Sequence, residues 1–163
     1  MNKKWIIAAA ILVILVVVLA NSVYVVKENQ YACRVQFSKI VDTTAESGLH
    51  FKIPFIESIK YFSKATQLYD IPPSEVLTSD KQNMTVDCYI LWSISDPKLF
   101  YQTLGSTLIA EQRLDALTYN ELKTVMGTLA QSDIINMEDG AKRNEIYENI
   151  STDVDALAAT YGI

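Results

Sequence analysis

Hydrophobic and polar positions fall into three regimes along the chain. From Trp5 to Val26 almost every residue is apolar, with Asn21 and Ser22 as the polar interruptions and no charge. At a rise of about 1.5 Å per residue, roughly 22 residues reach about 33 Å, enough to cross the ~30 Å hydrocarbon core of a bilayer. The run therefore predicts a membrane-spanning helix, anchored by Trp5, Ile6, Leu12, Leu15, Val18, Leu19 and Tyr24. Trp5 and Tyr24 stand near its two ends, where aromatic rings suit the headgroup zone.

The pattern then changes to a period of two. Tyr31, Cys33, Val35 and Phe37 alternate with Ala32, Arg34 and Gln36, which predicts a half-buried strand with the first set inward. A polar stretch, Asp42 to Gly48, reads as a turn. Leu49, Phe51, Ile53 and Phe55 alternate with His50, Lys52 and Pro54, a second strand with Pro54 at an edge or an end. β-like character continues through Ile59, Tyr61 and Leu68 until Pro72-Pro73 stops it. Val76 to Thr78 and Met84 to Ile94 flank Ser79-Asp80-Lys81-Gln82 and predict a hairpin. Its second arm places Met84, Val86, Cys88, Ile90, Trp92 and Ile94 on one face, with the other face partly covered as well.

At Asp96-Pro97 the period becomes helical. Asp96 suits a cap and Pro97 a first turn, so Lys98 to Gln102 is a short helix. A longer one covers Leu108 to Met126, with Ala110, Leu114, Leu117, Leu122, Val125, Met126 and Leu129 near one stripe and Gly127 at its end. A last helix covers Glu138 to Tyr161 on the stripe Ile146, Ile150, Val154, Leu157 and Tyr161, and Gly162 suits the residue after it. The expected fold class is α+β: a cytoplasmic tip and transmembrane helix over 1–26, a β-rich membrane-proximal part over 27–95 and a helical α/β part over 96–163.

Charge orients this arrangement. Lys3 and Lys4 precede the apolar run, whereas Lys27 and Glu28 cancel beyond it. The positive-inside bias places the N-terminus in the cytoplasm and the main domain outside it, a single-pass protein of the cell membrane. The competing reading is a cleaved signal peptide: a basic tip, an apolar stretch from Trp5 to Leu19 and Val18-Leu19-Ala20 as the cleavage signal, releasing a secreted or periplasmic binding domain. Against it, apolar character resumes at Val23-Tyr24-Val25-Val26. Residues 27–64 hold six Lys or Arg against four acids, and residues 65–163 six against fifteen. That balance does not suit a nucleic-acid binder, and it leaves the basic part beside the membrane, where anionic lipid favours it.

Candidate chemistry is sparse. His50 is the lone histidine, and no Gly-x-Ser-x-Gly elbow is present. Cys88, His50 and Asp87 can be written as a triad, but Asp87 and Cys88 point to opposite faces of one strand. Glu138-Asp139 and Asp153 with Asp155 read as solvated helix ends and faces. With no Gly-rich phosphate loop and no His/Cys ligand cluster, we expect no catalytic residue, metal or cofactor. Cys33 and Cys88 read as buried thiols, although a disulfide is permitted outside the cytoplasm. Leu49 to Ile56 supports two readings. Its large apolar residues either belong to the core or, through Phe51, Lys52, Phe55 and Ile56, touch the outer leaflet beside the anchor.

Six strings in collinear order carry a family resemblance: Val23-Tyr24-Val25-Val26-Lys27-Glu28, Gly48 to Phe55, Leu77-Thr78-Ser79-Asp80-Lys81, Val86-Asp87 with Trp92, Asp96-Pro97-Lys98-Leu99-Phe100 and Tyr161-Gly162-Ile163. They resemble the stomatin/prohibitin/flotillin (SPFH, or band 7) family, and within it the bacterial protease-modulator branch. Asn29 stands where the family usually has Gly, and Gln36-Phe37-Ser38-Lys39 where it has an Arg-Phe-Gly-Lys turn. The resemblance implies a non-enzymatic, membrane-anchored scaffold, a homo- or hetero-oligomer in full-length form. It implies assembly with an HflK-like subunit and restraint of the membrane AAA protease FtsH. Family members continue past the Tyr-Gly-Ile string into a further strand and a long coiled coil, so the helical part is expected to be truncated here.

Overall fold

The structure, a computed structural model, describes residues 3–135 and 140–163, giving the backbone alone for 3–10, 14 and 140–143. It divides into two compact units, Met1–Ala65 and Thr66–Ile163.

The first unit begins with helix α1 (Lys3–Asn21). The Asn21 side-chain amide donates to the Val17 carbonyl at 2.8 Å, and the Ser22 hydroxyl to that of Val18 at 2.7 Å. Such back-bonding ties up the last carbonyls and ends the helix. The expectation of one helix from Trp5 to Val26 is therefore corrected: Val23–Val26 is strand β1. Its β-branched residues favour extended backbone, and Tyr24 and Val26 turn inward, so Tyr24 is a core residue rather than part of the helix. Among the residues described with their side chains, which in α1 begin at Ile11, no helix is long and apolar enough to cross a membrane. Trp5 and Ile6 lie outside the described side chains.

Strand β1 pairs antiparallel with β4 (Gly48–Phe51), and β2 (Gln30–Gln36) lies between β3 (Lys39–Thr44) and β5 (Glu57–Ser63). Tyr24, Val26 and Ala32 form the core here, with Ile59 against them. β3 occupies part of the stretch expected as a turn. The β2–β3 connection is a two-residue turn in which Phe37 and Ser38 have φ of 48° and 64°, as a tight hairpin with the twist of its strands requires. Phe37 is thus 84% exposed instead of continuing the inward face of β2.

In the second unit β6 (Gln67–Leu77) and β7 (Asn83–Trp92) form the expected hairpin. β6 runs through Pro72-Pro73, which was expected to stop it. The register steps from Ile71 opposite Cys88 to Ser74 opposite Val86, so the prolines sit in a bulge on an edge strand, where no ladder N–H is required. The outer face of the hairpin is open, with Leu68, Tyr89 and Leu91 all exposed.

Helix α2 (Pro97–Thr103) is capped by Asp96, whose Oδ1 accepts from the Lys98 and Leu99 N–H groups at 2.9 and 3.0 Å. Helix α3 (Thr107–Thr128) continues through Gly127 and buries Ala110, Leu114, Thr118, Leu122 and Met126 at four-residue spacing. The short helix α4 (Gln131–Ile135) was not expected, and α5 (Gly140–Ala159) buries Ile150, Val154 and Ala158, with Leu157 exposed. The expected start near Glu138 lies outside the described residues. Val76, Leu122, Met126, Ile150 and Val154 make the core, with Met84, Val86 and Cys88 of the hairpin packed on it. The hairpin therefore belongs with the helices, and the division falls after Ala65 instead of at the expected 95/96.

Candidate functional site

The β1–β4 pair explains why the apolar residues of this region are not core. Tyr24 faces His50 and Val26 faces Gly48, whereas Val23 faces Phe51 and Val25 faces Leu49. The inward set is Tyr24 and Val26, with the His50 ring 5.6 Å from that of Tyr24. The outward set is Val23, Val25, Leu49 and Phe51, all exposed. The alternation in 49–55 is real, but its sense is the reverse of the core reading: the histidine faces in and the large apolar residues face out.

Beyond Phe51 the strand stops, and residues 52–56 form a loop fixed at several points. The Lys52 N–H donates to the Ser22 carbonyl at 2.7 Å, tying the loop to the end of α1. Glu57, buried, accepts from the Ile53 N–H through Oε2 at 2.8 Å, while its own N–H donates to the Ile53 carbonyl at 3.0 Å. Arg34 stands behind it: one guanidinium nitrogen lies 3.8 Å from the Glu57 carboxylate and donates to the Phe51 carbonyl at 3.5 Å, and the other donates to Asp42 at 2.7 Å. A buried carboxylate with these partners meets the requirement that buried charge be paired.

The clamped loop presents Phe55 at φ 67° and 84% exposure. A bulky residue on left-handed backbone is uncommon, and it persists where the surroundings fix it. Of the expected contact residues, Phe51, Phe55 and Ile56 are exposed and Lys52 is half-buried. Leu12, Leu15 and Leu19 of α1 are likewise exposed, with Val18 half-buried. The outward Val23 and Val25 were missed because they were read as the tail of a helix. Strand pairing alone reveals their partners.

Of the residues considered for catalysis, His50 has a backbone partner and Cys88 packs on the core of the second unit. His50 Nε2 lies 3.0 Å from the Glu46 carbonyl. Burial pushes the Cys88 thiol above its ordinary pKa, with Asp87, Asp115 and Asp70 adding to the effect, the opposite of an activated thiolate. Cys33 is a buried thiol 3.8 Å from the Thr43 hydroxyl. Asp153 and Asp155 are solvated; Glu138-Asp139 lies outside the described residues. Among the described residues no cluster of His, Cys, Asp or Glu could hold a metal ion. A shallow cleft of about 330 Å³ between α2, α3 and Tyr161 contains Arg113, whose Nε donates to the Tyr161 hydroxyl at 3.0 Å with the guanidinium 5.1 Å above that ring.

Residues 24–163 match the SPFH domain / Band 7 family. The chain is 34% identical over 151 residues to the "Modulator of FtsH protease HflC" of Escherichia coli strain K12, covering 88% of this chain and 45% of that protein. It is 27% identical over 146 residues to "Protein HflC" of Treponema pallidum, covering 90% and 44% of the two chains. With "Protein HflC" of Buchnera aphidicola subsp. Schizaphis graminum it shares 27% over 168 residues, covering 98% and 54%. The chain spans about half the length of the curated relatives it matches.

Proposed function

The chain belongs to the SPFH domain / Band 7 family, and we propose that it is a membrane-anchored, non-enzymatic scaffold subunit that assembles with an HflK-like partner and modulates an FtsH-like membrane protease. The observation that carries this reading is the 34% identity, across 88% of the chain, to a protein named as a modulator of FtsH protease.

The anchor is α1, crossing once with the N-terminus in the cytoplasm and the main domain outside. The apolar run and Lys3 and Lys4 support it. The exposed Phe51, Phe55 and Ile56 with Lys52 form a surface that rests on the outer leaflet beside the end of α1. Clustered apolar exposure of this kind marks an interaction site, and an adjacent basic residue favours anionic lipid.

Affinity purification of the full chain from detergent extracts tests the assembly. Recovery together with an HflK-like subunit and an FtsH-like protease is the expected result, and recovery of the chain by itself would overturn it. N-terminal sequencing of the same sample tests the anchor: a start near Asn21 would establish the released periplasmic form instead.

A further inference from the structure

We infer that the cleft between α2, α3 and Tyr161 is a binding site for the terminal carboxylate of a polypeptide that ends in an apolar residue, with Arg113 receiving the carboxylate. The site is independent of the proposed assembly and needs neither the anchor nor an HflK-like partner.

One stripe of α3 makes the cleft. Ile109, Gln112, Arg113 and Ala116 share one helix face and line it together with Leu104 and Tyr161. The other faces of α3 are used differently. Ala110, Leu114 and Thr118 are buried. Burial, Asp115 and Glu111 raise the Tyr69 hydroxyl above its ordinary pKa, which puts those two carboxylates on the β6 side of the helix. Arg113 therefore stands on a stripe without acids, although residues 65–163 hold fifteen acids against six Lys or Arg. Among the described residues the ion pairs are those of Arg34, and Arg113 has no carboxylate partner.

The guanidinium is held ready. Its Nε donates to the Tyr161 hydroxyl at 3.0 Å and its plane lies 5.1 Å above that ring, leaving both terminal nitrogens unengaged among the described residues. Tyr161 is itself fixed: its carbonyl accepts from the Thr103 hydroxyl at 3.2 Å, and its N–H donates to the Ala158 carbonyl at 2.9 Å. A cation oriented before binding loses little freedom when a ligand arrives.

Chemistry selects the ligand. The paired terminal nitrogens of Arg match the two oxygens of a carboxylate. Leu104, Ile109 and Ala116 beside them offer nothing to the further oxygens of a phosphate, but they suit an apolar group. An Asp or Glu side chain would bring polar backbone on both sides into a cleft of about 330 Å³. A chain terminus carries its carboxylate and its last side chain on one carbon, so both enter together.

The test uses the full chain in phosphatidylcholine nanodiscs and the fluorescence anisotropy of a labelled peptide, Gly-Ser-Gly-Ser-Gly-Leu, as free acid and as amide. The free acid is expected to bind about tenfold tighter than the amide, and Arg113→Gln to bring it down to the amide's level. Ala116→Phe, which narrows the apolar part and keeps the cation, is expected to weaken the free acid as well. Equal binding of acid and amide, or binding of neither, overturns the site. So does equal binding of an amidated peptide with an internal Glu, which would make any acidic protein surface the occupant, a second copy of this chain included. The comparison of acid with amide is made on the unaltered chain, so it decides the matter whatever the substitutions do to the fold.

Discussion

Gly162 shows how much of this fold depends on single backbone positions. Its φ is 80°, its carbonyl accepts from the Ser95 and Asp96 N–H groups, and a Cβ there would meet the Asp96 carbonyl oxygen at 2.5 Å and the Phe100 nitrogen at 2.8 Å. Both contacts are to backbone, which cannot swing aside. Gly162→Ala is therefore expected to destabilise the second unit by at least about 2 kcal/mol, read as a lower midpoint in denaturant. Glu57 plays the comparable part in the first unit. Glu57→Ala leaves the Ile53 N–H without its acceptor and removes the carboxylate 3.8 Å from Arg34, and is expected to cost about 1–3 kcal/mol, whereas Glu57→Gln, which keeps an oxygen for Ile53, costs less. Equal losses for the two substitutions would contradict the clamp. Neither role could be seen in the sequence beyond Gly162 as a helix-ending residue, since each depends on partners brought close by folding. The same holds for His50: a polar residue between Leu49 and Phe51 reads as the outward one, and pairing with Tyr24 turns it inward.

Among the elements, those with strong local signals were legible: the β6–β7 hairpin, the Asp96-capped α2, and the buried stripe of α3. The failures arose where one composition serves two conformations. Apolar length merged β1 with α1, because a run of valines satisfies either until Asn21 and Ser22 fold back on the helix. Pro72-Pro73 read as a stop because the sequence does not disclose that β6 is an edge. The β2–β3 turn carries a testable cost, since Ser38 sits at φ 64°, left-handed backbone that Gly adopts at no steric cost. Ser38→Gly is expected to raise stability by about 0.5–1 kcal/mol, relief of left-handed strain outweighing the added freedom of the unfolded chain. In the β6–β7 turn the Asp80 carboxylate accepts from the Thr78 hydroxyl and from the Gln131 N–H at 3.2 Å. The Thr78 bond is the chief reason its pKa lies below the ordinary value of 3.8. A carboxylate with a depressed folded pKa contributes stability that is present above its unfolded pKa and is lost as pH falls through the folded one. Acid titration of the unfolding midpoint should therefore show a loss below about pH 4 that Asp80→Asn removes.

The division of the chain into units makes the strongest distinction between what pattern predicted and what packing decided. Period alone separates strands from helices at 95/96, but the inward Met84, Val86 and Cys88 of β7 pack on the core that α3 and α5 contribute to, and Trp92 stacks on Phe100 of α2, so the hairpin joins the helices. At 95/96 the chain is also doubly fastened, with the N–H groups of Ser95 and Asp96 both donating to Gly162 and the Asp96 side chain capping α2. At Ala65 and Thr66 both residues are exposed, β5 has ended and β6 has not begun. Domain boundaries fall where few contacts cross, and exposed connections tolerate insertion. A Gly-Ser-Gly-Ser insertion between Ala65 and Thr66 is accordingly expected to leave the protease resistance of both units unchanged, as read from the fragments surviving limited digestion. The same insertion between Ser95 and Asp96 must separate two donors that share one acceptor, and should make residues 66–163 readily digestible. If the two insertions behave alike, the hairpin is not an integral part of the helical unit.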